Sequence, residues 1–136
     1  MDLKILEIAS NTKNHKVVKN YTHQAKNKNP ICGDEMQISL VVKENIIEDM
    51  GYQCRSCVYC QASVSLLSRW VVQVSVEKVS NFVSHSELFF KENFNQTKKN
   101  NIKDIKDFKK ILNPENISRK ECLLLPFKTL SKALNL

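Results

Sequence analysis

The order of hydrophobic patterns in this sequence predicts an α+β fold, a small antiparallel sheet with helices packed on one face. Two observations carry that expectation. Between residues 22 and 53, β-forming stretches follow one another across short polar breaks, and from about residue 58 apolar residues recur every three or four positions. A third is the order itself, strands first and helices after.

Residues 3–10 read as a short helix, followed by a polar Asn/Lys/His stretch ending near Tyr21. Segment 22–28 offers one strand, 36–43 (MQISLVVK) a second and 46–53 (IIEDMGYQ) a third, which makes a three-stranded sheet. Glu44-Asn45 has the length of a two-residue hairpin connection. From Val58 to Val72, Ala62, Leu66 and Trp70 mark one face of an amphipathic helix. Residues 75–92 read as a second, capped by Ser75 with Lys78 in place of a full capping box, and 93–101 is a loop by composition. Helices over 102–112 and 118–134 complete the chain, divided at Asn113-Pro114-Glu115-Asn116. Pro126 falls inside the last of them, which implies a kink or a later start.

With 136 residues and 42% hydrophobic content, residues 1–136 fit a single domain. The opening MDLKILEIAS carries Asp2 and Glu7 and lacks a long apolar core, so it does not read as a signal or transit peptide. Apolar runs are too short to span a membrane. The expectation is a cytoplasmic protein without a membrane partner. The net charge of +7 attracts anions. Its lysines are scattered and often stand beside Asp or Glu, as in NIKDIKDFKK, with no interleaved aromatics, so nucleic acid is not the expected partner. Acidic proteins can exploit the same field.

Five cysteines, at 32, 54, 57, 60 and 122, read as ligands or reactive thiols in a reducing compartment, and the odd count agrees. The run Cys54-x-x-Cys57-x-x-Cys60 resembles part of a ferredoxin loop but lacks its C-x-x-x-C-P element. A thioredoxin-like reading lacks the strand–helix–strand context. Cys54 and Cys60 equally suit small buried hydrophobes. Cys57 sits where a helix N-terminus favours thiolate. In Cys32-Gly33-Asp34 a glycine separates a sulfur from a carboxylate and permits a close approach to an ion. Spacing alone says nothing about whether Cys122 joins them.

Asn29-Pro30-Ile31-Cys32-Gly33-Asp34, then Cys57 with Ala62-Ser63-Val64-Ser65, then Arg119-Lys120-Glu121-Cys122-Leu123-Leu124-Leu125-Pro126-Phe127 resemble three ordered motifs of the U-type iron–sulfur assembly family, the IscU, SufU and NifU N-terminal scaffolds. The resemblance spans most of the chain and implies the SufE/NifU-like two-layer fold. It implies that Cys32, Asp34, Cys57 and Cys122 hold zinc or an assembling cluster, of 2Fe–2S type if a cluster. Sulfur would come from a cysteine desulfurase and the product would go to recipient apoproteins. The 64 residues between Cys57 and Cys122, Arg119, and Glu121 in place of the family's histidine resemble the SufU branch. That branch implies a zinc-dependent persulfide acceptor, with Cys32 the first candidate and Cys122 the second. Departures are equally plain. The family's F-x-G-x-G-C turn is replaced by Tyr52-Gln53-Cys54-Arg55-Ser56-Cys57, its Lys-Gly-Lys by Val72-Gln73-Val74, and a helix serine by Cys60. Cys54, Cys60 and Arg119 are thus candidate auxiliary residues, and a diverged, metal-stabilised binding module is a further reading.

Overall fold

The computed structural model describes residues 3–91 and 105–135. After α1 (Leu3–Ala9) the chain enters an antiparallel sheet of β1 (His23–Lys28), β2 (Glu35–Lys43), β3 (Ile46–Arg55) and β4 (Val74–Ser75), in that spatial order. The sheet therefore has four strands where the sequence predicted three. The extra strand has two residues, too few to leave a periodic pattern. It arises because Gln73 takes a left-handed conformation (φ 70°) and donates its N–H to Ile47 O at 2.7 Å, turning the chain back against β3.

The predicted hairpin is present. Glu44 (φ 51°) and Asn45 (φ 64°) both lie in the left-handed region, as a type I′ turn requires. A bulge between Val41 and Val42 accommodates the register beside it. Across the strands, Ala25, Ile38 and Tyr52 form one row and Leu40 and Met50 part of the next, all buried toward the helices.

Helix α2 (Val58–Val71) and the C-terminal α5 (Lys120–Ala133) cover that face. Burial of the α2 side chains is nearly continuous, because the helix runs between sheet, α1 and α5. Its small polar residues permit close packing while satisfying themselves. Ser63 donates to Leu123 O at 2.6 Å, Ser65 to Asn11 O at 2.7 Å, and Ser68 to Ser65 O at 2.8 Å. Helices α3 (Val76–Ser84) and α4 (Ile105–Ile111) close the far end around Trp70, Phe82, Phe108 and Phe127, whose rings stack 4.5–6.2 Å apart.

Helix α3 starts as expected, with Ser75 Oγ accepting from Lys78 N, but it stops at Ser84 rather than running to residue 92. Polar side chains compete for its last carbonyls. His85 Nδ1 lies 2.7 Å from Asn81 O and Ser86 donates to Val83 O, after which Ser86–Phe90 continues as a 3-10 turn that buries Phe89 and Phe90. The predicted 93–101 loop lies outside the described residues. Another 3-10 turn, Pro114–Arg119, leads into α5, which retains Pro126 in its interior despite starting later than 118. Proline has no N–H to give, so the helical bond to the Cys122 carbonyl is missing.

Segment 14–18 straps the outer sheet face. Asn14 O accepts from Tyr52 N at 3.0 Å, and Val18 N donates to Ser39 Oγ at 3.1 Å. Gly51 makes the crossing possible, since a Cβ there would stand 2.4 Å from Lys16 O.

Candidate metal centre

The β1–β2 connection closes on itself through Asn29. Its backbone N–H donates to Asp34 O (2.8 Å), its carbonyl accepts from Gly33 N (2.8 Å), and its Oδ1 accepts from Ile31 N (3.0 Å). This Asx-type closure, aided by Pro30, lifts Cys32 to the surface and turns Asp34 inward. Gly33 is needed for its backbone conformation (φ 78°), because a Cβ there would meet no atom within 4 Å.

Two helix N-termini face this loop. Cys57 is the N-cap residue of α2, as the sequence predicted, and its side chain makes no capping bond. Cys122 is the third residue of α5, and the Ser63 bond to Leu123 O fixes that first turn against α2. Arg119, at the N-cap of α5, lays its guanidinium 5.1 Å above the Tyr59 ring on the first turn of α2, tying the two N-termini together at the rim.

The result brings together residues 90 positions apart. Sγ of Cys32 lies 3.8 Å from Sγ of Cys122, and among the described residues the ligand atoms of Cys32, Asp34 and Cys122 form the one group that lie within 4.8 Å of one another. Two sulfurs bound at about 2.3 Å to a tetrahedral zinc are separated by about 3.8 Å, so the observed spacing already matches one edge of such a site. Cys57 falls outside that tight group but lies beside Cys122. Burial pushes the Cys122 thiol up from its ordinary range, and the adjoining Cys57 and Cys32 thiols push the same way. Asp34 is 9% exposed, and its Oδ2 is buried without any hydrogen-bond partner. Such a carboxylate oxygen calls for a cation.

The auxiliary cysteines occupy different environments. Cys60 is fully buried, and desolvation drives its thiol far up, outweighing the nearby Ser56 hydroxyl. Half-buried Cys54 is also raised, chiefly by burial. Neither belongs to the three-atom group. Ser56 Oγ, buried among them, finds no partner of good geometry. Sequence reasoning quoted Asn29 without its clamping role and Ser63 without its bond to Leu123 O, and passed over Tyr59. Asn-Pro ahead of Cys-Gly-Asp was the available signal for the first. Nothing in the sequence pointed to the Ser63–Leu123 bond or to Tyr59.

Among the described residues no helix is long and apolar enough to cross a membrane. A family model described as the NifU-like N-terminal domain matches residues 2–107. The chain is 30% identical, over 131 residues covering 96% of its length and 89% of the relative's, to the iron–sulfur cluster assembly scaffold protein IscU of Thermotoga maritima. It is 42% identical over 50 residues, 36% of this chain and 40% of the relative, to IscU of Haemophilus influenzae. Two solved structures share the fold. One is described as a SUF-system scaffold from Fervidobacterium islandicum (TM-score 0.84, 22% identity, covering 98% of this chain and 96% of that one), the other as a NifU-like N-terminal protein from Brucella abortus (0.82, 20%, 98% and 91%).

Proposed function

The chain belongs to the NifU-like N-terminal domain family, and on that premise we propose that residues 1–136 act as a single-domain scaffold on which an iron–sulfur cluster is assembled and then released. The observation that carries this reading is the buried, unpartnered Oδ2 of Asp34 beside two thiols at metal-binding separation. Cys32, Cys57 and Cys122 supply soft thiolate donors, while Asp34 supplies one hard oxygen that exchanges more readily. Three firm ligands and one labile one suit cargo that must be held and then handed on. Partners on this reading are a cysteine desulfurase and recipient apoproteins, in a reducing cytoplasm that keeps the thiols free.

The surface position of Cys32 supports a second reading, a zinc-dependent persulfide acceptor. A Cys32 thiolate attacks the outer sulfur of the desulfurase persulfide, forming Cys32–S–SH and returning the desulfurase thiolate. On this reading Asp34, Cys57 and Cys122 would hold zinc, which would support the fold around the acceptor thiol of Cys32.

Anaerobic purification with metal analysis, followed by incubation with iron, cysteine and desulfurase, separates these readings. The scaffold is expected to develop visible absorbance in proportion to bound iron and sulfide. Colourless zinc protein that stimulates the desulfurase, with the stimulation lost in Cys32→Ser, establishes the acceptor instead. Metal that holds the fold without any desulfurase coupling reduces the site to a structural one.

A further inference from the structure

On the outer face of the sheet, at the end nearest the Asn29–Asp34 loop, two cross-strand rows lie side by side. The rows are Lys26–Gln37–Gln53 and Lys28–Glu35–Arg55. Their side chains point away from the helices, because the intervening Asn27–Met36–Cys54 row turns Met36 and Cys54 toward the core, as the flanking Ala25–Ile38–Tyr52 row does. Together they floor a groove of ≈ 890 Å³. His15 of the strap stands at one side, and Lys132, whose Nζ donates to Lys26 O at 2.8 Å, at the other.

Four cations line this groove against the single carboxylate of Glu35. Among the described residues Glu35 forms its one ion pair with Lys28, at 3.8 Å, with both side chains at least half exposed. Lys26 and Arg55 take part in no ion pair among the described residues, although Lys16 on the strap is already matched with Asp49. The scattered excess of positive charge in the sequence thus becomes local here. The floor between the cations is amide, from Gln37 and Gln53, which suits an extended polypeptide. No aromatic ring is presented for base stacking, since the His15 ring packs edge-on against buried Tyr52.

We propose that this face docks an acidic segment of a partner protein. The Lys28–Glu35–Arg55 row directly adjoins Asp34 in sequence, and Arg55 precedes Cys57 by two residues, so a segment seated here anchors its owner beside the thiols. The inference borrows from the proposed function only the presence of a partner at that site. The contact itself is independent of metal.

A fluorescein-labelled glutamate-rich peptide, titrated by anisotropy against the intact chain, provides the test. Binding is expected to weaken steeply with salt and by about tenfold or more in Lys26→Glu/Arg55→Glu, while Lys19→Glu/Lys78→Glu, of equal charge change, stays within about twofold. Lys26→Gln/Arg55→Gln gives the same answer if the charge reversal impairs folding. Equal loss in both charge-reversed pairs overturns the proposal, as does tighter groove-dependent binding of a single-stranded oligonucleotide or of phosphatidylserine vesicles. Zinc content, measured in parallel, separates the two conclusions. Peptide binding by a chain that never holds metal sinks the proposed function alone, and loss of groove specificity in a metal-loading chain sinks this inference alone.

Discussion

Replacing Asp34 by Ala should change stability in opposite directions with and without metal. In the metal-free protein Asp34 Oδ2 is buried and unpartnered. A polar group in that position costs about 1–3 kcal/mol, and more if charged. The backbone bond from Asn29 N to Asp34 O survives the substitution, so the loop keeps its closure. Asp34→Ala is therefore expected to stabilise the metal-free chain by about 1–3 kcal/mol, roughly 3–10 °C in Tm for a domain of this size. Zinc at a hundred times its Kd adds about 2.7 kcal/mol to the parent, and most of that increment should vanish in the variant. Urea unfolding under reducing conditions, with chelator and then with zinc, measures both. If Asp34→Ala destabilises the chelated protein, or leaves the zinc increment intact, the assignment of Asp34 as a ligand waiting for a cation is wrong.

Thiol alkylation should proceed in the order of exposure, Cys32 first, Cys54 and Cys57 next, and Cys60 and Cys122 slowest, as mass spectrometry of a time course will show. Because burial raises the Cys60 and Cys122 thiols, the metal-free fold keeps them protonated while the unfolded chain loses those protons above about pH 8.5. Stability is thus fully present below that pH and falls as pH climbs beyond it, whereas zinc affinity rises across the same window. Flat unfolding curves between pH 8 and 10 would contradict this. Gly51→Ala should cost about 1–3 kcal/mol in urea unfolding, since the new methyl collides with Lys16 O and Val18 and lifts the strap. Cys122→Ser should abolish stoichiometric zinc binding while Cys60→Ser retains it, a contrast read directly by metal analysis.

Much of the fold was legible because its signals are local. Glu44-Asn45 reads as a hairpin since two residues joining β-rich runs leave few alternatives, and Ser75 reads as a cap since its partner is three residues away. The misreadings came from interactions that no local window contains. Strand β4 exists because Gln73 meets Ile47, and the break at His85 arises from side chains competing for carbonyls one turn back. The site divided in the same way. Spacing drew attention to Cys54, Cys57 and Cys60, whereas the tightest cluster contains only Cys32, Asp34 and Cys122. The resemblance to a family supplied the long-range pairing that periodicity lacked, and the geometry added what neither contained, the Asn29 clamp and the Ser63 brace.

The 90-residue separation between Cys32 and Cys122 has a consequence for the order of events during synthesis. A chain extended as far as α2 already carries Cys32, Asp34 and Cys57, yet lacks the sulfur that faces Cys32. Closing so long a loop is entropically expensive and is compensated only when α5 docks its apolar face on the sheet. On the proposed reading, secure capture of a metal ion would await α5, so a bound ion would report that α5 has been made and has docked on the sheet.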